Sequence, residues 1–389
     1  MIGRIFTLLT LSCVGVSAQI QLAVGENLPA FPDPAGRAGM AAATVTLEDK
    51  SQGILIVGGA NFPGRAPWDG GEKVYYSDIV LLRKVDGAWK WFKVGDLPEP
   101  VAYAAFGPCK EGLIIAGGVN ATGHLSAVRI ISPDGKITGR RPLPLALAYP
   151  ACAVDDGKLY VVGGQTTPTS TNAEPFFGIL NLKNDAPSWE TRPWLANGRM
   201  LATAGIVDGE LILAGGCSLK PDAQGKPQRT YLSDTRIFDI NSKTTDRESA
   251  STAGPNLPFS VVGACGPAIT NGDRIILLGA DDGSHYGKPP QDHPGQRADI
   301  LSVNAKANTV EVIGKLAIGC VTAPAVTLGP DIVIVSGETK PGVRTPALQS
   351  LRLSPVEPDR TWILIATTAA ALVGAGGWLV WRRRTRSLT

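Results

Sequence analysis

A carboxylate and a guanidinium stand six residues apart in the segment Ser336-Gly-Glu-Thr-Lys-Pro-Gly-Val-Arg-Thr345, where Glu338 and Arg344 share one loop. A glutamate so placed can move protons, and an arginine can hold an anion through its planar fork. The same two side chains can instead neutralise each other, which lowers the carboxylate pKa and makes a weaker base. Glu338 can also simply accept backbone N–H groups in a turn. Further candidates are Asn61, in Gly58-Gly-Ala-Asn-Phe-Pro-Gly64, and Arg37, Tyr103 and Arg199, each at the start of a stretch of small residues. Asn61 either binds a ligand or shapes its own turn. Tyr75 and Tyr76 read as wall and core. Val101 and Ala148 occupy places where additional arginines would be plausible ligands. Histidine is scarce: His124, His285 and His293 make up the whole complement.

These residues hang on a repeat. A polar lead, four or five aliphatic residues and two small residues recur as Gly53–Gly59, Gly112–Gly118, Lys158–Gly164 and Glu210–Gly216. Degenerate copies follow at Arg274–Ala280 and Asp331–Gly337. Continuous apolar runs of this length predict strands buried on both faces, and paired glycines permit a tight exit from the sheet. A small-residue strand precedes each copy. One or two strands follow it, the last often carrying Trp and ending in Leu-Pro, as in Trp89–Pro98. Four strands per unit of roughly 50 residues is the kelch pattern of a β-propeller blade. The fold class is therefore all-β, a six-bladed kelch-type propeller over 19–357. The sixth unit lacks a Trp-type outer strand, and Gln19-Ile-Gln-Leu-Ala-Val-Gly-Glu-Asn-Leu-Pro29 ends in the same Leu-Pro. The N-terminal strand is expected to complete blade 6 and close the ring, which removes an open edge.

Glycine (46) and proline (30) make up about a fifth of the 389 residues, as turn-rich β proteins require. Net charge is +3, but five of the 37 basic residues (Arg4, Arg382, Arg383, Arg384 and Arg386) sit at the ends. The remaining 32 face 34 acidic residues, so no nucleic-acid surface is expected. Residues 1–18 read as a signal peptide with small residues before the cleavage point; a lipoprotein signal at Cys13 is a poorer reading. Trp362–Trp381 is an uncharged stretch of membrane-spanning length followed by Arg-Arg-Arg-Thr-Arg. Residues 358–381 are thus expected to be a linker and one transmembrane helix, and 382–389 a basic cytoplasmic tail. The propeller would be periplasmic or extracellular, anchored to the membrane; a removable sorting tail is the alternative. Cys109, Cys152, Cys217, Cys265 and Cys320 show no CxxC or metal-like spacing and read as small buried thiols. Asn120-Ala-Thr122 forms a glycosylation sequon.

Strands alternate in direction within a blade. The loop after each double glycine therefore opens on the same face as the start of each first strand, and the long loops 60–75, 217–229 and 280–296 mark that face as the site. Two of its loops, Gly58–Asp78 and Ser336–Thr345, resemble the bacterial sialic-acid mutarotases (N-acetylneuraminate epimerases), which are six-bladed kelch propellers. The Gly-Glu-x-Lys-Pro-Gly-x-Arg-Thr pattern carries most of that resemblance. In the family the Glu-Lys-Pro-Gly blade is followed by the Gly-Gly-Ala blade. Here these are last and first, as in the cyclically permuted branch. The resemblance implies an isomerase that interconverts the α and β anomers of N-acetylneuraminate, with Glu338 as proton acceptor. A sugar acid also calls for cations, so Arg344, Arg199 and Arg37, with Asn61 and Tyr103, become substrate-binding candidates. No cofactor and no metal are implied. The rival reading is a non-catalytic, membrane-displayed propeller that binds glycan or protein. A copper-radical sugar oxidase is disfavoured by the scarcity of histidine, and a glycosidase carboxylate pair leaves no linear trace.

Overall fold

The computed structural model describes residues 20–183 and 188–355. Residues Leu22–Arg352 form one compact unit. The expected signal peptide, transmembrane helix and basic tail lie outside the described residues, and among the described residues no helix is long and apolar enough to cross a membrane.

Six four-stranded sheets make the six blades of an all-β propeller. The innermost strands are short and rich in small residues, for instance Ala41–Thr46, Ala105–Cys109 and Ala151–Asp155. Small side chains let six strands converge on one axis. Each second strand is one of the repeated apolar runs. In Gln52–Val57, residues Ile54 to Val57 are no more than 1% exposed, as expected for a strand covered on both faces. Each such side chain stabilises the fold by about 1.5–3 kcal/mol. The core consists of these residues packed between neighbouring blades, so Leu55 and Leu81 of blade 1 share a cluster with Leu113 and Ile131 of blade 2. Among the described residues five cysteines are free, and four of them are buried.

Ring closure follows the expected route. The sixth sheet has the order Ile20–Val24, Leu348–Pro355, Asp331–Val335, Ala325–Leu328. The seam is reinforced by Gly25 N–H donating to Ser350 O (3.0 Å) and Glu26 N–H to Asp331 Oδ2 (2.8 Å).

A second closure lies at the axis. Gly39, Tyr103, Tyr149, Leu201, Gly263 and Thr322 occupy equivalent positions, one per blade, all in the left-handed region (φ 51–68°). Each donates its N–H to the carbonyl of the preceding member, and Gly39 donates to Thr322, so six hydrogen bonds of 2.6–3.0 Å make a closed backbone ring. Four of these positions carry side chains in a conformation that costs a non-glycine residue about 1 kcal/mol or more. The ring fixes that conformation and aims those side chains at the axis.

The double glycines serve the seams between blades. Gly58 has φ 67°, and a Cβ there would lie 2.2 Å from the carbonyl oxygen of Val101 in the next blade. In blade 6 that position is Ser336, also with positive φ (60°). Its hydroxyl accepts from Arg37 N–H (2.8 Å) and lies within hydrogen-bond distance of the Arg37 and Thr345 carbonyls (2.9 and 2.5 Å). The departure from the glycine pattern thus falls at the junction between the last blade and the first.

Candidate functional site

The loops after the second strands fold into short two-stranded ribbons in blades 1, 2, 4 and 6. They enclose a funnel of about 1030 Å³ whose floor is the backbone ring, with Tyr103, Tyr149, Leu201 and Thr322 in its lining. Beneath the floor a cavity of about 80 Å³ is lined largely by Met40, Phe106 and alanines and contains no charged group. The groups capable of chemistry therefore lie above the ring.

Glu338 and Arg344 are direct partners across the blade 6 ribbon Glu338–Lys340/Val343–Arg344. This register explains their six-residue spacing, because the strands fold back through Pro341-Gly342 and bring the two side chains face to face. Arg344 Nη2 lies 2.6 Å from Glu338 Oε2, with the side chains 3% and 19% exposed. Arg344 Nε and Nη1 are buried without a hydrogen-bond partner, and the guanidinium lies 5.0 Å from the Phe62 ring centroid. An ion pair alone would lower the Glu338 pKa. Instead the carboxyl is raised above its ordinary value, because burial outweighs the combined pull of Arg344, Lys73 and Arg229, with Asp281 pushing the same way as burial. A buried carboxylate held by an arginine is thus kept basic rather than silenced.

Two more cations line the funnel. Lys73, on the blade 1 loop, lies 4.7 Å from the Tyr103 ring centroid and 5.4 Å from that of Tyr75. Burial lowers its pKa. Arg229 stands on the blade 4 ribbon Cys217–Pro221/Pro227–Tyr231. Among the described residues neither makes an ion pair within 4 Å, unlike Arg344. Tyr103 is pushed up to about 12, by burial first and by the Glu338 charge second. Tyr149 packs against Tyr103, ring centroids 4.8 Å apart and planes tilted by 39°, and is raised chiefly by burial. His124 lines the opposite flank of this aromatic pair, 6.1 Å from Tyr149. Both its ring nitrogens are buried without a partner, and burial lowers its pKa.

Of the residues singled out in the sequence, Glu338, Arg344 and Tyr103 are brought together in the funnel. Arg37, Arg199 and Asn61 are not. Arg37 is 6% exposed, pairs with Asp33 (2.9 Å) and Asp78 (2.5 Å), donates to Gly58 O and lies 3.5 Å over the Tyr76 ring. Arg199 is 6% exposed, holds Asp234 through both terminal nitrogens and donates to Gly215 O. Asn61 is 1% exposed, donates to Asp33 and Gly36 O and accepts from the Tyr76 hydroxyl. All three lie outside the funnel lining and fix the seams between blades. For the two arginines the reason is register. The first residue of each strand start turns its carbonyl to the preceding blade's glycine pair, as Arg199 O accepts from Gly164 N–H, and only the residue two positions on reaches the axis. By the same register the blade 3 counterpart of Arg37 is Leu147, one residue before Ala148. Tyr76 belongs to the Arg37 seam, whereas Tyr75 is funnel wall. The Asn120 side chain is buried and donates to Pro100 O while accepting from Thr122, so the sequon is folded inward.

Sequence reasoning missed Lys73, Arg229, His124 and Tyr149. Tyr149 had a signal, since Ala148-Tyr-Pro150 repeats the setting of Ala102-Tyr-Ala104. The other three depend on loop conformation.

The six-bladed propeller thus gathers a buried carboxyl–guanidinium pair, Lys73 and Arg229 in one funnel. Comparison with known proteins finds partial matches. The chain is 35% identical over 107 residues to N-acetylneuraminate epimerase 1 of Escherichia coli O6:H1, covering 25% of this chain and 26% of that protein. It is 32% identical over 124 residues to N-acetylneuraminate epimerase of Haemophilus influenzae (28% and 31%). It is 36% identical over 103 residues to that of Vibrio vulnificus (24% and 25%). The matches thus span about a quarter to a third of these relatives. No protein-family model matches the chain.

Proposed function

We propose that this protein is a mutarotase-type isomerase, of the cyclically permuted kelch kind, that interconverts the α and β anomers of N-acetylneuraminate or a close sugar acid. The observation that carries the reading is the Glu338 carboxylate, desolvated yet held in place by Arg344, at the base of a funnel that also contains Lys73 and Arg229.

The chemistry asks for little more. Glu338 takes the proton of the anomeric hydroxyl while the ring oxygen gains a proton from an acid or a water, and the C–O bond of the ring opens to a ketone. Rotation about the adjacent carbon–carbon bond and reclosure on the other face return both protons. A raised carboxylate pKa moves the base toward neutral pH, where general-base catalysis is most effective. Lys73 and Arg229 supply charge for the substrate carboxylate, and the burial of the site strengthens each of these contacts. Tyr103 and Tyr149 give an aromatic floor for the ring's apolar face.

The test releases one pure anomer of N-acetylneuraminate and follows both anomers by proton NMR at a pH where spontaneous exchange is slow. Acceleration by catalytic amounts of protein supports the proposal; an unchanged time course leaves the binding-propeller reading in its place. Location is a separate proposal, supported by the sequence alone: export by residues 1–18 and anchoring by the linker and transmembrane helix of 358–381, with the basic tail 382–389 in the cytoplasm. Protease accessibility of the propeller in intact cells checks it.

A further inference from the structure

A side lobe of about 230 Å³ opens off the funnel among the loops of blades 4 to 6, and Arg229, Tyr286, Thr322 and Glu338 border both spaces. Its wall differs from the funnel's. Gln296 Oε1 and Thr322 Oγ1 are buried there without any hydrogen-bond partner. Asp281 occupies in blade 5 the position of Glu338 in blade 6: its backbone bridges Val262 as that of Glu338 bridges Val321. Its Oδ2 accepts from the Tyr231 hydroxyl (3.1 Å) and its Oδ1 from Gly283 N–H (2.9 Å). The His285 and His293 rings stand 5.1 Å apart at the same wall. His293 Nδ1 accepts from Gly295 N–H, which puts the proton of the neutral ring on Nε2.

This set favours one kind of occupant. A second ligand carboxylate would be drawn by Arg229 and Lys288 but opposed by Asp281 and Glu338, so the lobe offers it no net attraction. An alkyl group would leave Gln296 Oε1 and Thr322 Oγ1 unpaired, at about 1–3 kcal/mol for each buried atom. Hydroxyl groups donate and accept at once, and so match a wall that mixes acceptors with an imidazole N–H. Water occupies about 30 Å³ in the liquid, so a chain of three hydroxyl-bearing carbons fits the lobe.

We infer that the lobe is a polyol subsite, which takes the uncharged, hydroxyl-bearing exocyclic chain of a sugar acid whose carboxylate lies among the funnel cations. The inference rests on the sugar-acid reading above and adds what selects among sugar acids. A ligand lacking the chain leaves Gln296 and Thr322 unpaired and is disfavoured by roughly tenfold or more in kcat/KM.

Two measurements test it separately from catalysis. Saturation-transfer difference NMR with N-acetylneuraminate reports which ligand protons touch the protein. Chain protons saturated at least as strongly as ring protons, with the chain signal selectively reduced in Gln296→Leu, support the subsite. Saturated ring protons with a silent chain overturn it even if anomer exchange is catalysed. Saturated chain protons without catalysed exchange keep the subsite and remove the isomerase. No saturation of any ligand proton overturns both. Anomer-exchange rates for N-acetylneuraminate and for the analogue truncated by periodate and borohydride give the second measurement. The wild-type preference for the full chain should collapse in Gln296→Leu, with melting temperature confirming that the variant folds. Equal rates for both sugars in the wild type, each above the spontaneous rate, contradict the inference.

Discussion

Replacing Arg344 by Gln should raise the pKa of Glu338 further. The two groups meet at 2.6 Å with their side chains 3% and 19% exposed, so the pair is poorly screened. At an effective dielectric constant of about 20, unit charges ~3 Å apart attract by roughly 5 kcal/mol, a gross figure that desolvation reduces. The net effect of a cation this close is a lowering of a carboxylate pKa by about 1–3 units, or about 1.4–4 kcal/mol between its protonation states. Without Arg344 only Lys73 and Arg229 oppose burial and Asp281. The Glu338 titration should therefore move upward by about 1–3 units. A 13C NMR titration of labelled glutamate, assigned with Glu338→Gln, measures it directly. Stability supplies a second reading. A carboxyl raised above its unfolded value of 4.5 contributes stability that is fully present below that value and is lost as pH rises through the folded pKa. In Arg344→Gln that loss extends to higher pH, so the variant should fall further below the wild type in melting temperature at pH 8 than at pH 5. A Glu338 carboxyl that titrates at or below its wild-type pKa in Arg344→Gln refutes the reasoning.

Other perturbations follow from the same geometry. Arg37→Met leaves Asp33 and Asp78 unpaired in a part-buried seam and should destabilise the fold by about 3–5 kcal/mol, read by urea unfolding, with anomer exchange per folded molecule little changed. Ser336→Ala removes the hydroxyl that ties Arg37 to Thr345 while keeping a side chain at φ 60°; it should cost about 1–3 kcal/mol, and Ser336→Gly should be the less damaging of the two by about 1 kcal/mol. Lys73→Met should raise KM for an acidic sugar by roughly tenfold or more, on the scale of a charge-assisted hydrogen bond, in steady-state anomer-exchange assays. Because burial lowers the Lys73 pKa below 10.5, wild-type affinity should weaken with rising pH before an ordinary lysine would titrate, a step absent in the variant.

The fold was legible because its signals are local and repeated. Six aliphatic runs ending in small residues announce six blades, and the Leu-Pro at 28–29 announces the strand that completes the last one. Ser336 reads as a degenerate glycine in the sequence. In the structure it is a left-handed residue whose hydroxyl holds the first blade to the last. The site was half legible. The Glu338–Arg344 spacing reflects a ribbon register, and a tight turn at Pro-Gly makes that register readable. Arg37 and Arg199 were misplaced because a strand start lies on the correct face but not at the correct radius, and Asn61, in its loop, is turned inward to Asp33, Gly36 and Tyr76. The two arginine side chains bind the glycine pair of their own blade, while the residue two positions on reaches the axis. Lys73 and Arg229 enter the funnel only because long loops fold over it. The net pKa shift of Glu338 was beyond sequence for the same reason, since depth of burial decided its sign against the neighbouring cation.

The most direct test of the central claim is magnetisation exchange between the two anomers of N-acetylneuraminate at chemical equilibrium, recorded with the wild-type protein and with Glu338→Gln. The account predicts exchange cross-peaks that grow with wild-type concentration and vanish to the spontaneous level in the variant, while its melting temperature shows it folded. Cross-peaks of equal strength in both proteins, or none above the spontaneous level in either, contradict it.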